Sequence, residues 1–133
     1  MFIENVKSLT FQVGAAIAQY VFVTFNSSGQ IVAAAAGADA IGVTLEGVTA
    51  AEFTAGKRAV PVAMIQSGGK CPVRAVASTA IAVGDVISSA ANGEAAPTAT
   101  TRARLGVAVE VAGNDADQEL VVIIFDKGAR LTP

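Results

Sequence analysis

A chain of 133 residues is one domain's worth, and its net charge of −2 removes the electrostatic case for binding nucleic acid. The absence of histidine removes the usual general base, the serine and cysteine triads built on it, and most zinc sites. Aromatic residues make up only 5% with no Trp, while 13 Gly and many Val, Ile and Thr favour short strands and tight turns.

Residues 1–13 alternate weakly through Phe2, Val6, Leu9, Phe11 and Val13 without a turn signal. That predicts an extended arm which either adds a strand or reaches a neighbour. Glu4 and Lys7 follow Met1 closely, so no secretory leader is expected. Between Lys7 and Asp39 there is no charged residue, a gap of 39 − 7 − 1 = 31 positions. Such a stretch is either buried, in the core or an oligomer contact, or it exposes Ser, Thr, Asn and Gln for solubility.

Gln19–Phe25 is a β-branched and aromatic run, which Asn26-Ser27-Ser28-Gly29 turns into Gln30–Ala34, a hairpin. Ala33–Ala40 contains Gly37 and reads as a loop before a strand over 40–46. Thr49-Ala50-Ala51-Glu52 fits a capping box for one short helical turn before Gly56. Lys57–Ile65 alternates around Val60, Val62 and Met64, with Pro61 suggesting an edge strand or a break. Gln66–Lys70 is a loop and Cys71–Val76 a return strand. Asp85–Ser89 is a strand, Asn92-Gly93 a turn, Ala95–Thr101 an Ala/Thr/Pro loop and Arg104–Val111 another strand. Gly113–Asp117 is an acidic turn, and Glu119–Phe125, the most apolar strand, is expected centrally. The longest apolar runs are far too short to cross a membrane, and no membrane partner is expected.

One heptad is written twice. Ala40-Ile41-Gly42-Val43-Thr44-Leu45-Glu46 returns as Arg104-Leu105-Gly106-Val107-Ala108-Val109-Glu110, at an offset of 105 − 41 = 64. The same offset carries Ala16-Ile17-Ala18 onto Ala80-Ile81-Ala82 and Gly29 onto Gly93. Three ordered landmarks at one offset predict two related β units, about 15–63 and 79–125, within a single β domain over 14–125. The arm 1–13 precedes both units and a polar tail, 126–133, follows them. The expected fold is all-β, a small β-barrel or a β-tulip-like sandwich.

Chemistry-bearing residues are few. Glu46 and Glu110 hold equivalent places and could act as acid and base or bind a cation; the plainer reading is two solvated strand ends. Lys57-Arg58 and Arg102/Arg104 are short basic clusters, and such pairs commonly sit at solvated strand ends. Cys71, the single cysteine, forms no internal disulfide and reads as a small buried hydrophobe rather than a nucleophile. Gly68-Gly69-Lys70 lacks the rest of a phosphate loop. No enzyme activity, cofactor or metal is expected. The arm's apolar side chains, Phe2, Ile3, Val6, Leu9 and Phe11, are the candidate contacts with a partner protein or an adjacent protomer.

The two heptads, with Thr79-Ala80-Ile81-Ala82-Val83-Gly84-Asp85-Val86-Ile87 and Asn92-Gly93, resemble the head decoration, or capsid cement, proteins of tailed bacteriophages. Ile81-Ala82-Val83-Gly84-Asp85-Val86 is the most telling part, and the resemblance spans roughly residues 14–125. It implies a β-rich structural protein, made in the host cytoplasm, that binds major capsid protein on the outer surface of the virion head. It also implies a homotrimer that stabilises the shell and carries no catalytic residues. A non-enzymatic ligand- or carbohydrate-binding β module is the alternative, although such a module calls for an aromatic platform.

Overall fold

The computed structural model describes residues 3–76, 79–97, 102–111 and 120–126. Along them run β1 (Ser8–Gln12), β2 (Phe22–Phe25), β3 (Ile31–Ala33), β4 (Gly42–Thr44), α1 (Ala50–Thr54) and β5 (Ala59–Met64). The second half contributes β6 (Lys70–Arg74), β7 (Val86–Ser89), β8 (Ala95–Pro97), β9 (Gly106–Val111) and β10 (Leu120–Phe125). The strands make two five-stranded antiparallel sheets, ordered β1-β5-β4-β2-β3 and β6-β10-β9-β7-β8. Counted within its own half, each sheet runs first, fifth, fourth, second, third.

The heptad offset recurs in three dimensions. β2 and β7 start 86 − 22 = 64 residues apart, as do β3 and β8 (95 − 31) and β4 and β9 (106 − 42). Hydrogen bonds repeat with them. Tyr20 N–H donates to the Thr44 carbonyl at 2.8 Å, as Gly84 N–H does to the Ala108 carbonyl at 2.8 Å. Ile41 N–H donates to Val23 at 2.9 Å, as Leu105 N–H does to Ile87 at 2.8 Å. In both units, the far end of the first strand touches the third through one isolated bridge, Val13 to Ile31 and Ala75 to Ala95. Each sheet therefore curls, yet a single-residue bridge is not a ladder. The sheets stay open, so the molecule is a sandwich and not a closed barrel.

Of the two readings of the N-terminal stretch, the described residues show the first: it adds a strand, and that strand belongs to the first unit. β1 pairs with β5 from Ser8↔Ala63 to Gln12↔Ala59, and it holds in the first sheet the place that β6 holds in the second. Its equivalence was hidden because Leu9 matches Cys71 (71 − 9 = 62), two residues off the ungapped offset. Two other expectations change. Ala95–Pro97 is strand β8 rather than loop. Pro61 lies in β5, between β1 and β4, and not at an edge. There, Leu45 N–H donates to the Pro61 carbonyl at 3.0 Å, but proline has no N–H to return. The Gln19 side-chain amide supplies the missing donor to the Leu45 carbonyl at 2.9 Å. β10 lies between β6 and β9, one place in from the edge, and β9 is the middle strand. Phe2, residues 98–101, the acidic turn 113–117 and the tail beyond Asp126 lie outside the described residues.

The local signals form as written. The hairpin β2–β3 pairs Val23↔Ala33 to Phe25↔Ile31, with Asn26 Oδ1 accepting the Ser28 N–H at 2.9 Å across the turn. The capping box starts α1. Thr49 Oγ1 accepts the Glu52 N–H at 3.1 Å and the Glu52 carboxylate accepts the Thr49 N–H at 2.9 Å. Gly42 and Gly106 mark where the heptads need glycine: a Cβ at Gly42 would strike the Ala63 carbonyl oxygen, and one at Gly106 the Ile124 carbonyl oxygen.

Burial falls into two layers. Val13, Val23, Ile31, Val60 and Val62 fill the inward-curling face of the first sheet, with Ile17, Val48 and, from α1, Phe53 over them. The corresponding face of the second sheet, including Val73, Leu105, Val121, Ile123 and Phe125, packs against the opposite face of the first, where Phe22, Val43 and Ala63 point. Among the described residues no helix is long and apolar enough to cross a membrane.

Candidate functional site

The structure separates the described candidate contact residues, Ile3, Val6, Leu9 and Phe11. Ile3 and Leu9 are exposed. Val6 packs against the cluster between the sheets, and Phe11 against the cluster inside the first sheet. Phe11 also meets Phe25 edge-on, with ring centroids 5.4 Å apart. Phe2 is outside the described residues. β1 is an edge strand in which bonds from Met64 N–H to Lys7 and from Val13 N–H to Arg58 fix the alternation. Residues 7, 9, 11 and 13 turn their backbone groups to β5, so Ser8, Thr10 and Gln12 turn theirs outward. Leu9 lies with Lys7, Met64, Gln66 and Ser67 along a shallow cleft beside this edge.

The carboxylates are not brought together as a pair. Glu46 lies 3.6 Å from Lys57 and Glu110 lies 3.7 Å from Lys70, which also meets Glu4 at 3.2 Å. The basic clusters are likewise divided. Lys57 serves Glu46, while Arg58 stacks over the Phe53 ring at 3.9 Å. Arg104 faces Asp126 at 4.0 Å, and Arg102 lies beside Gly37. Gly69 is crowded by the Glu4 and Asn5 carbonyl oxygens, which would repel a phosphate rather than cradle it.

A groove of about 520 Å³ runs between Ala16–Gln19 and Gly47–Thr49, with Glu52 and Arg74 on its wall. Its polar groups are engaged with the fold itself. Arg74 Nε donates to the Gln19 carbonyl at 2.8 Å, and Gln19 Nε2 to Leu45. The backbone N–H of Thr49 holds the Glu52 carboxyl below its ordinary value.

Cys71 is buried, and burial pushes its thiol up to about 12. Almost none of it is thiolate at pH 8. We expect iodoacetamide to label the folded protein at least tenfold more slowly than the urea-unfolded chain. Equal labelling rates would mean that β6 opens readily.

Sequence reasoning found Leu9 and Phe11 but missed Phe25 and Ile124, both exposed, and the half-buried Met64. Phe25 ends a hairpin strand and Ile124 lies in the most apolar strand, a setting that by sequence alone is indistinguishable from core. Their equivalents in the other unit were the available signal: Phe25 matches Ser89, and Ile124 matches Ala63, both fully buried.

No protein-family model matches the sequence, and no curated protein does. Among solved structures, the N base of the head fiber gp8.5 of bacteriophage phi29 is similar to this chain, with a TM-score of 0.66 and 21% identity. The likeness covers 96% of this chain and 99% of that one, so the fold is shared over nearly all of both.

Proposed function

We propose that this chain is a structural protein of a phage head. On this reading it binds major capsid protein on the outer surface of the capsid, stabilises the shell as a homotrimer, and carries out no chemistry. The observation that carries the reading is the likeness of fold, over nearly the whole chain, to the base of a phage head fiber. The heptads and the phrase Ile81–Val86, which resemble decoration proteins, support it independently of that comparison. Leu9 and Ile3, exposed at the start of the chain, remain the proposed contacts with a partner.

The test mixes purified protein with expanded, empty heads. Co-sedimentation that saturates, together with heads that withstand a higher temperature before rupture, is the expected result. No co-sedimentation at micromolar protein would overturn the reading. Light scattering of the free protein addresses the homotrimer: a monomer mass well above micromolar concentration would remove it.

A further inference from the structure

The two units of the chain do not meet through matching faces. The first presents the back of its sheet, Phe22, Val43 and Ala63, to the inward-curling face of the second, where Cys71, Val73 and Phe125 wait. This is a head-to-tail contact between repeats, and it leaves part of one copy of each face uncovered: in the first unit Ile17, Val48 and Phe53 cover the middle of the inward face but not its Leu9–Phe25 side.

The equivalent positions show the vacancy. In the second unit, Cys71, Ser89 and Val73 are each 0% exposed and Phe125 is 4%. Their counterparts in the first unit are Leu9, 56% exposed, Phe25, 48%, and the half-buried Phe11 and Met64. The reverse holds on the other side. Ala63, Phe22 and Val43 are each 0% exposed, whereas their counterparts are Ile124, 48% exposed, and the half-buried Val86 and Val107. The covered edge of β6 tells the same story. Lys70 exchanges backbone bonds with Glu4, and Arg74 N–H donates to the Tyr20 carbonyl at 2.8 Å. The counterparts of Lys70 and Arg74 on β1, Ser8 and Gln12, point outward with no such backbone bond among the described residues.

We propose that copies of this chain associate head to tail, the Val86–Val107–Ile124 face of one docking on the Leu9–Phe11–Phe25–Met64 face of the next. The occupant is a second copy because the contact is already made once inside each chain, position for position. The rim differs from the internal version in one respect. Arg104 and Asp126, an ion pair at 4.0 Å, stand where the first unit has the buried Ala40 and Ile65. An apolar centre with a charged rim suits a contact between separately folded chains. Two different patches in contact close into a ring or run on as a filament, and a homotrimer of this kind is such a ring. The inference deepens the homotrimer of the proposed function by naming its contact. It is tested without capsids, so its failure is distinct from failure to bind heads.

Ile124→Glu removes one face and Leu9→Glu the other, both at exposed side chains. Wild-type protein is expected to sediment as an oligomer, and each variant as a folded monomer with association at least tenfold weaker. Mixed in equal amounts, the two variants should form a heterodimer that grows no further, since each retains the face the other lacks. Val107→Glu and Met64→Glu replace them should either fail to melt cooperatively. A monomeric wild type, a variant that keeps the wild-type mass, or a mixture that stays monomeric would each overturn the proposal.

Discussion

Phe125→Ala is expected to lower the unfolding free energy by about 3–5 kcal/mol. Phe125 ends β10, is 4% exposed and pairs with Gly106 across the β9–β10 ladder. Its ring lies in the cluster that joins the two sheets, so truncation opens a cavity where the units meet rather than at a rim. The equivalent residue in the first unit is Met64, which pairs with Gly42 and is half-buried. Met64→Ala in the isolated chain should therefore cost clearly less. Urea midpoints for the two variants, measured under conditions where the protein is monomeric, check the pair. Equal losses would show that Met64 is as well covered as Phe125.

The second large effect belongs to the repeated glycines. Gly106→Ala and Gly42→Ala should each cost about 1–3 kcal/mol, because the new methyl must displace neighbouring main chain rather than a side chain that can swing aside. At Gly106 the Cβ would stand 2.5 Å from the Ile124 carbonyl oxygen and 3.0 Å from Ile123 Cδ1. At Gly42 the Ala63 carbonyl oxygen and Val62 Cγ1 are the obstacles. Similar losses from the two substitutions are the sign that the heptads do one job twice. A neutral Gly42→Ala would mean that the first sheet can widen at no cost.

Signals read from neighbours in sequence survived contact with the structure. The Asn26–Gly29 turn and the Thr49 capping box depend on short-range geometry, the heptad offset on comparing the chain with itself, and all three are present. What failed were inferences that needed a third dimension. Pro61 argued for an edge because a proline cannot donate, and nothing in 57–65 announces that Gln19 stands by with a spare amide. The first strand of each unit escaped notice because Ser8-Leu9-Thr10-Phe11-Gln12 and Lys70-Cys71-Pro72-Val73-Arg74 share little beyond alternation. The candidate contacts suffered likewise. Alternation shows which residues share a face of a strand, but not whether another layer covers that face. Leu9 and Cys71 occupy the same place in their units, yet Leu9 is 56% exposed and Cys71, under the other sheet, 0%.

The strand order also sets a timetable for synthesis. Because β1 pairs with β5, the first half cannot close until Met64 has left the ribosome, and every ladder it then makes is internal to residues 8–64. It has its own buried cluster, complete without any residue of the second half. The second half is poorer in bulk. Its inward face relies on Ala75, Ala95 and Ala108 and on Phe22 and Val43 from across the junction. A chain stopped after about residue 64 is therefore expected to keep a core of its own, and a cooperative urea transition of that fragment is the measurement that checks it.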